Sequence, residues 1–333
     1  MRIVSADDIQ NALTYRALID ALNQAFRSDI VVPVRHHHTI ATEGADATLL
    51  LMPAWTSASA GLSDAKSASS SAGRTADGER YVGCKIVTVF PDNAKAQRPS
   101  VYGQYLLLSG ETGEPLAMMD GRALTAWRTA CASALAARYL AREDASHLVM
   151  VGAGTLAPHL IRAHISVRPI KRVTLWNRTR ARAVSLGFGI AVAGIEVDIA
   201  ETLEEAVSEA DIVSCATLSA QPLIKGAWLK KGAHLDLVGG FTPKMREADD
   251  DAVKRARIFV DTRTGAAKEA GDIVVPLKKK IIDAKAIKGD LFDLCRGKVK
   301  GRTSASQITL FKSVGTAIED LAAAMLVWKS LSA

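Results

Sequence analysis

The sequence predicts an α/β protein in which a doubly wound parallel sheet is joined to a second, α+β domain. A glycine-rich turn lies between an apolar run and a helical pattern in the middle of the chain. Short apolar segments then alternate with helical patterns, which is typical of a parallel sheet covered by helices on both faces. The amino-terminal part instead has successive strand-like segments without helices between them, which favours an antiparallel or mixed sheet.

The amino-terminal part begins with a predicted amphipathic helix over about Ser5 to Ser28. Predicted strands follow at Val31–Ile40, Ala47–Pro53, Tyr81–Val89 and Tyr102–Leu108. The segment Thr56–Arg80 is rich in Ser, Ala and Gly and almost lacks large apolar residues. Because it can bury little surface, we expect a flexible surface loop there.

The rest of the chain begins with a helix that we expect Thr125 to cap. The strands of the alternating region are predicted at Leu148–Val151, Val173–Trp176, Glu196–Ile199, Ile212–Ala216, His234–Val238 and Ile258–Asp261. The last helix, about Ser313 to Leu331, lies outside this alternation, and its return to the first domain would make that domain discontinuous. We therefore expect one domain over 1–124 and 313–333, and the other over 125–312.

The glycine turn predicts a dinucleotide-binding Rossmann domain. The buried strand ending at Val151 leads into Gly152, Ala153, Gly154, Thr155 and Leu156, where a helical pattern begins. Glycines permit a tight turn and let the backbone approach a pyrophosphate, whose charge the helix N-terminus stabilises. Strand, turn, helix and second strand in register make this signal much stronger than the glycines alone.

The end of the second strand predicts the choice of cofactor. The strand ends in Asn177, Arg178 and Thr179, where an NAD-preferring site usually has an acid for the ribose 2′-hydroxyl. A guanidinium with no acid beside it suits a 2′-phosphate, because Arg pairs with phosphate through two parallel hydrogen bonds. The sequence therefore favours NADPH, with NADH as the alternative.

Composition limits the partners. The chain has 333 residues, 48% of them hydrophobic, and a formal net charge of +7 without a basic block that contains interleaved aromatics. This balance suits an anionic cofactor and a small anionic substrate rather than nucleic acid. No apolar run is long enough to span a membrane and no signal peptide is evident. With four scattered cysteines, these features predict a cytoplasmic protein with reduced thiols.

Two cations are candidates for catalysis or substrate binding. Arg128 is predicted in the first turn of a helix, where a cation opposes the helix dipole unless an anion is bound; a pairing with a surface acid is the alternative. Lys85 lies inside an apolar strand. A desolvated lysine has a lowered pKa and becomes a proton donor near neutrality, whereas a lysine at a sheet edge would only extend its ammonium to water.

Three consecutive histidines follow Arg35, but they do not predict a metal site. Neighbouring residues of a strand point to opposite faces and cannot converge on one ion. No cluster of acids and histidines elsewhere completes a site. We therefore expect no metal.

Several segments together resemble the ornithine cyclodeaminase/μ-crystallin family, and the resemblance runs nearly from end to end. Besides the glycine turn, it is carried by Leu51–Pro53, Lys85–Asn93, Thr125–Ala130, Trp176–Thr179 and Phe311–Asp320. The resemblance implies a homodimer. It also implies a Rossmann domain in the middle of the chain and a discontinuous domain for substrate binding and dimerisation.

The resemblance also assigns roles to matching positions. Arg35 and Arg128 would hold the carboxylate of the substrate, and Lys85 would face the reacting carbon. Beyond the glycine turn and the end of the second strand, Thr129 is a further expected cofactor contact. The residues that would border the nicotinamide are Thr217, Val238 and the turn that contains Lys312, Ser313 and Gly315.

Two positions depart from the cyclodeaminase members. Those members carry a Glu just before the Leu-Met-Pro segment, where this chain has Leu50, and an Asp after Val-Gly-Gly, where it has Phe241. Cyclodeamination needs a base that relays protons while an amino group attacks and ammonia departs. Neither side chain can do this, and Phe241 is instead expected to contact the apolar ring of the substrate.

The segment Leu237–Pro243 is similar to members of the family that reduce cyclic imino acids. The resemblance therefore implies a ketimine reductase. We expect it to use NAD(P)H to reduce Δ1-pyrroline-2-carboxylate, together with Δ1-piperideine-2-carboxylate, to L-proline and L-pipecolate. The alternatives are an alanine- or other opine-type amino-acid dehydrogenase, an ornithine cyclodeaminase, and an NADPH-binding protein of low turnover like μ-crystallin.

Overall fold

The structure is a computed structural model that describes residues 1–57, 79–190 and 192–332. The chain divides into two compact units, Met1–Arg128 with Thr316–Ala333, and Thr129–Gly315. These boundaries lie four and three residues beyond the expected ones, after 128 rather than 124 and after 315 rather than 312. Residues 58–78, most of the predicted Thr56–Arg80 loop, lie outside the described residues.

The first unit contains a seven-stranded sheet. The strands are β1 (Arg2–Val4), β2 (Ile30–Val31), β3 (His36–Ile40), β4 (Ala47–Thr56), β5 (Tyr81–Val89), β6 (Val101–Ser109) and β7 (Pro115–Asp120). Their order is β1-β7-β6-β5-β4-β2, with β3 also paired to β4. Among the pairs that the described residues form in this sheet, only β1–β7 is parallel.

Helices cover one face of this sheet. They are α1 (Ala6–Ala12), α2 (Tyr15–Arg27), the start of α3 (Gly121–Leu140) and the final helix α11 (Ala317–Ser332). Helix α11 packs against α2 and against β4, β5 and β6. Side chains of a strand alternate between the two faces, so Met52, Lys85 and Tyr105, which are neighbours in register, share the buried face.

Two amino-terminal elements differ from the prediction. The single helix expected over Ser5–Ser28 is two helices, because Leu13 is extended and the Thr14 side chain accepts a hydrogen bond from the amide of Ala17, which starts a second helix. The strand expected over Val31–Ile40 is interrupted between β2 and β3. Pro33 lies in the interruption and has no N–H to donate to a ladder.

The start of α3 also differs from the prediction. The helix begins at Gly121, and the Asp120 carboxylate accepts hydrogen bonds from the amides of Arg122 and Ala123 at 2.9 and 2.8 Å. Thr125 is therefore not the cap. Its hydroxyl lies within the helix and donates to the carbonyl of Gly121 at 2.6 Å.

The second unit is built on an eight-stranded sheet in which every pair is parallel. The strands are β8 (His147–Val151), β9 (Arg172–Trp176), β10 (Glu196–Ile199), β11 (Ile212–Cys215), β12 (His234–Leu237), β13 (Arg257–Val260), β14 (Ile287–Asp290) and β15 (Thr309–Lys312). Their order is β10-β9-β8-β11-β12-β15-β13-β14. The direction of winding reverses between β8 and β11, and ligands of open α/β sheets bind at such a reversal. The strands β14 and β15 were missed by the sequence analysis.

The connections between the parallel strands contain the remaining helices. These are α4 (Ala157–Ile165), α5 (Arg180–Gly189), α6 (Leu203–Glu209), α7 (Asp250–Arg255), α8 (Arg263–Glu269), α9 (Gly271–Lys278) and α10 (Leu291–Cys295). A continuous apolar core joins strands of this sheet to α6, α7, α8 and α9, with Val213, Leu235 and Leu310 fully buried in it. The predicted α/β class with a doubly wound parallel sheet is thus confirmed. None of the described helices combines the length and apolar character needed to cross a bilayer.

Candidate active site

The first unit contains a buried cluster of two cations and two carboxylates. Lys85, on the buried face of β5, is 2% exposed, and Arg128 of α3 is 6% exposed. Glu319 and Asp320 lie in the first turn of α11 and are fully buried. Carboxylates are favoured in the first turn of a helix because the helix dipole is positive there.

Asp320 holds both cations. The Lys85 ammonium is 2.8 and 2.7 Å from the two carboxylate oxygens, and the Arg128 Nε donates to Oδ1 at 3.0 Å. The Arg128 Nη1 donates to the Glu319 Oε2 at 2.6 Å. Buried charges are tolerated when they are paired and hydrogen-bonded, and these four side chains satisfy that condition together.

Burial shifts the titration of Lys85. Desolvation, followed by the neighbouring Arg128 charge, lowers the pKa of Lys85 to about 8, while Asp320 acts in the opposite direction. The lowered pKa agrees with the expectation for a desolvated lysine. An ammonium with this pKa is mostly protonated at neutral pH and still able to release a proton.

The argument that placed Arg128 in a first helical turn is wrong. Since α3 begins at Gly121, Arg128 lies more than one turn inside the helix, beyond the reach of the dipole effect. The anions that answer its charge are Glu319 and Asp320, which are buried rather than on the surface. The sequence analysis assigned no role to either acid.

Arg35 and the histidines lie elsewhere in the first unit. Arg35 immediately precedes β3, which pairs with β4 and is therefore two strands away from Lys85. Its side chain is partly exposed, and the three histidines that follow are exposed. Across the described ranges, no group of three His, Cys, Asp or Glu side chains is placed to hold a metal ion.

Tyr105 is a buried polar group that sequence reasoning missed. It pairs in register with Lys85, and its hydroxyl has no hydrogen-bond partner among the described residues. Burial raises the pKa of Tyr105 well above its usual value. A Cβ at Gly83 would overlap the hydroxyl, so glycine leaves the space that Tyr105 occupies. In the sequence, a tyrosine within an apolar strand pattern looks like an ordinary core residue. The pattern therefore gave no sign that the Tyr105 hydroxyl would be buried next to Lys85.

The second unit contains the predicted nucleotide cleft. It has a volume of about 320 Å³ and is lined by the glycine turn, the end of β9 and the loop after β11. Gly152 has φ +105, and a Cβ there would lie 2.7 Å from the carbonyl oxygen of Ala216. Helix α4 begins directly after this turn, and the positive end of its dipole favours an anion there. These features fit the pyrophosphate of a dinucleotide.

The end of β9 presents exposed cations beside the cleft. Asn177 braces the turn, since its Oδ1 accepts a hydrogen bond from the amide of Ala153 at 3.2 Å and its Nδ2 donates to the carbonyl of Thr179 at 2.9 Å. Arg178 and Arg182 both line the cleft. Neither guanidinium has a carboxylate partner in the part of the chain that the structure describes. Arg182 was not predicted, although it stands four residues after Arg178.

The loops expected to border the nicotinamide are held by buried acids. Asp261 Oδ2 accepts the amides of Val314 and Gly315, both at 2.7 Å, at the turn after β15, where Gly315 has φ +82. Glu247 accepts the amide and hydroxyl of Thr217 at 2.7 and 2.9 Å. Burial raises the pKa of Glu247 to about 7, with Lys312 opposing the shift. Sequence reasoning missed both acids.

The remaining predicted residues lie as follows. Val238 and Ser313 are buried at the ends of β12 and β15, and Thr129 is buried in α3. Lys312 is fully buried, and its ammonium donates to the carbonyl of Leu237 at 3.1 Å. Phe241 is 48% exposed in the loop after β12.

Comparison with known proteins decides the family. The sequence pattern of the ornithine cyclodeaminase/mu-crystallin family matches residues 2–333. The chain belongs to this family. It is 36% identical over 337 residues to the Delta(1)-pyrroline-2-carboxylate reductase of Colwellia psychrerythraea, covering 100% of both chains.

Solved structures agree with this assignment. The Thermococcus litoralis Delta(1)-pyrroline-2-carboxylate reductase in complex with NADH and L-proline has a TM-score of 0.87 and 31% identity, covering 100% of this chain and 98% of that one. An archaeal alanine dehydrogenase dimer with bound NAD has a TM-score of 0.85 and 28% identity, covering 100% of this chain and 96% of that one.

The role of Asp320 in holding the Lys85 proton is testable by titration. Replacing Asp320 with Asn should lower the pKa of Lys85 below about 8, because the carboxylate that stabilises the ammonium is lost. The titration can be followed by NMR with carbon-13 at lysine Cε, with Lys85→Met identifying the signal. Glu319→Gln is the matched control and should lower the pKa less, since Glu319 contacts Arg128 and not Lys85. Equal shifts in the two variants would refute the assignment.

Proposed function

We propose that this chain is an NAD(P)H-dependent ketimine reductase that converts Δ1-pyrroline-2-carboxylate to L-proline. The six-membered homologue of this substrate, Δ1-piperideine-2-carboxylate, would be reduced to L-pipecolate. The observation that carries the proposal is the buried Lys85–Arg128 pair with its two carboxylate partners. The sheet face that carries Lys85 has Leu50 where the cyclodeaminase members of the family have a Glu. The reductase from Thermococcus litoralis, similar over the whole chain, supports the choice of substrate.

Lys85 and Arg128 would act on different parts of the substrate. Arg128 offers a guanidinium for the carboxylate of the imino acid. The family resemblance gives Arg35 the same role, although Arg35 lies two strands away from Lys85. Bound NAD(P)H supplies the hydride. The Lys85 ammonium supplies or maintains the proton on the imine nitrogen, which makes the imine a better hydride acceptor and becomes an N–H of the product. Activity should therefore fall as the pH rises through the Lys85 pKa of about 8.

Leu50 and Phe241 argue against cyclodeamination. Leu50 lies two residues before Met52 in β4, and therefore on the same sheet face as Lys85. An apolar side chain there cannot relay the protons that ring closure with loss of ammonia requires. Phe241, which is exposed in its loop, is an apolar residue at the position where the cyclodeaminase members of the family carry an Asp.

A substrate panel tests the proposal. The protein should oxidise NAD(P)H with Δ1-pyrroline-2-carboxylate, and Lys85→Met should lose this activity while binding the cofactor normally. Oxidation of NAD(P)H with pyruvate and ammonia, but not with the cyclic imine, would indicate an alanine-type dehydrogenase. Ammonia release from ornithine would indicate a cyclodeaminase. Cofactor binding without turnover of any substrate would leave a binding protein.

We propose further that NADPH is preferred over NADH. Arg178 and Arg182 line the cleft at the start of α5, which lacks a side-chain cap, so guanidinium groups and free amides would surround a 2′-phosphate. Arg180, between them in sequence, is instead paired with Glu201 at 2.9 Å and does not line the cleft.

The three arginines allow a matched test of cofactor choice. Arg178→Asp should weaken NADPH binding relative to NADH by about ten- to a hundredfold, because a hydrogen bond between charged groups contributes roughly 1.5–3 kcal/mol. Arg182→Ala should shift the ratio in the same direction, and Arg180→Ala should leave it unchanged. Dissociation constants from fluorescence titration provide the measurement. A wild-type protein that binds NADH more tightly than NADPH would contradict the proposal.

We also propose a homodimer that forms on the outer face of the first unit's sheet. That face carries Ile86 at 40% and Tyr102 at 45% exposure, with Cys84 and Leu106 half-buried beside them. A large apolar face of this kind marks a contact surface. The archaeal alanine dehydrogenase, similar over the whole chain, is a dimer.

Ile86→Glu should convert the dimer to a monomer, because it places a charge in an apolar contact. Size-exclusion chromatography with light scattering measures the mass. Phe188→Glu is the control, since Phe188 is 87% exposed and belongs to the second unit rather than to this sheet. A monomeric wild type, or a dimer that survives Ile86→Glu, would exclude this interface.

A further inference from the structure

Glu247 joins two loops of the second unit through a single carboxylate. Its Oε1 accepts the amide and hydroxyl of Thr217, in the loop after β11, at 2.7 and 2.9 Å. Its Oε2 accepts the amides of Gly239 and Gly240, in the loop after β12, at 2.7 and 3.3 Å. Each oxygen therefore holds one loop, and the side chain is fully buried.

The two loops approach so closely that only glycine fits. A Cβ at Gly239 would overlap the backbone of Thr217, and a Cβ at Gly240 would lie 2.7 Å from the Asp272 Oδ2. The Gly-Gly pair thus does more than provide a turn. It lets the backbone amides point at the Glu247 carboxylate without side chains between them.

A second carboxylate and a lysine fix Glu247 itself. Asp272 of α9 accepts the amide of Glu247 at 2.8 Å through Oδ1. The Lys312 ammonium, at the end of β15, lies 3.6 Å from the Asp272 Oδ2 and 4.0 Å from the Glu247 Oε2. The ends of β11, β12 and β15 are therefore tied to one buried charge cluster.

We infer that Glu247 is a positioning residue for the nicotinamide ring. The residues it fixes, Thr217 and the Gly239-Gly240 pair that follows Val238, belong to the loops expected to border that ring. The inference rests on the proposed reductase function. A carboxylate suits this task because both oxygens only accept hydrogen bonds, so one side chain can receive donors from two loops at once.

Glu247→Gln keeps the shape and removes this capacity. One end of the amide is an NH2 group, which would face backbone N–H donors of one loop. NADPH and NADH should each bind about tenfold more weakly, as the loss of a hydrogen bond to a charged group predicts. The kcat should fall, while the KM for the imine should change less than twofold, because the substrate carboxylate contacts the first unit.

Hydrogen exchange without cofactor gives a readout that does not depend on activity. In the wild type, peptides that contain Thr217 and the Gly239-Gly240 pair should exchange slowly and slow little further when NADH is added. In Glu247→Gln, exchange in at least one of these peptides should accelerate about tenfold. Glu247→Asp keeps the charge, but its side chain is one methylene shorter and cannot contact both loops. Its cofactor affinity should therefore stay below that of the wild type.

Asp249→Asn is the matched control. The Asp249 carboxylate also accepts two backbone amides, those of Gly226 and Ala252, both outside the nicotinamide loops. Both bonds go to one oxygen, Oδ1, which an asparagine keeps. The variant should therefore lower thermal stability only slightly and leave the dissociation constant of NADH unchanged. The inference is overturned if Glu247→Gln behaves in the same way, if Glu247→Asp restores full affinity, or if the wild-type loops exchange rapidly until NADH binds. Wild-type protein that binds NADH but does not reduce the imine would refute the proposed function. The affinity and exchange results would then still decide whether Glu247 positions the bound cofactor.

Discussion

The buried carboxylate of Asp320 is the group on which the two buried cations of the first unit depend. It contacts both Lys85 and Arg128, and Glu319 completes the cluster. Removing one partner from a buried ion pair leaves an uncompensated charge and costs roughly 3–5 kcal/mol. With both acids in place the cations are nearly neutralised, so their burial is tolerated. The position of Lys85 and its proton therefore depend on an acid that need not touch the substrate.

This constraint gives a reason for the discontinuous first unit. Lys85 and Asp320 are 235 residues apart in sequence, and the whole second unit is inserted between them. Helix α11 returns to cover β4, β5 and β6. Its first turn is also where the helix dipole favours carboxylates, so Glu319 and Asp320 are stabilised by their own helix as well as by the cations. The final helix contributes both the cover of the sheet and the charge that the buried cations require.

Features set by local sequence were predictable, and features set by distant partners were not. The glycine turn and the strand alternation identify the parallel sheet, since both follow from short-range geometry. Lys85 and Arg128 were singled out from the sequence, but the dipole argument for Arg128 failed because the helix begins at Gly121, capped by Asp120, and not near Thr125. Glu319 and Asp320 lie in Phe311–Asp320, one of the segments that carry the family resemblance, and the sequence analysis still gave them no role. An acid in a helical pattern is usually exposed, and only the fold shows that these are buried.

The two units use buried charge in opposite ways. In the first, two cations meet two acids, and desolvation lowers the pKa of Lys85 to about 8. In the second, one lysine meets two acids, and desolvation raises the pKa of Glu247 to about 7. Burial disfavours the charged form in both cases, so each group titrates close to neutrality. Proximity to neutrality does not make both groups catalysts, however. The hydrogen bonds of Glu247 go to backbone amides and to the Thr217 hydroxyl, so its contacts fix two loops. The Lys85 ammonium instead contacts two side chains, the Asp320 carboxylate and the Thr125 hydroxyl.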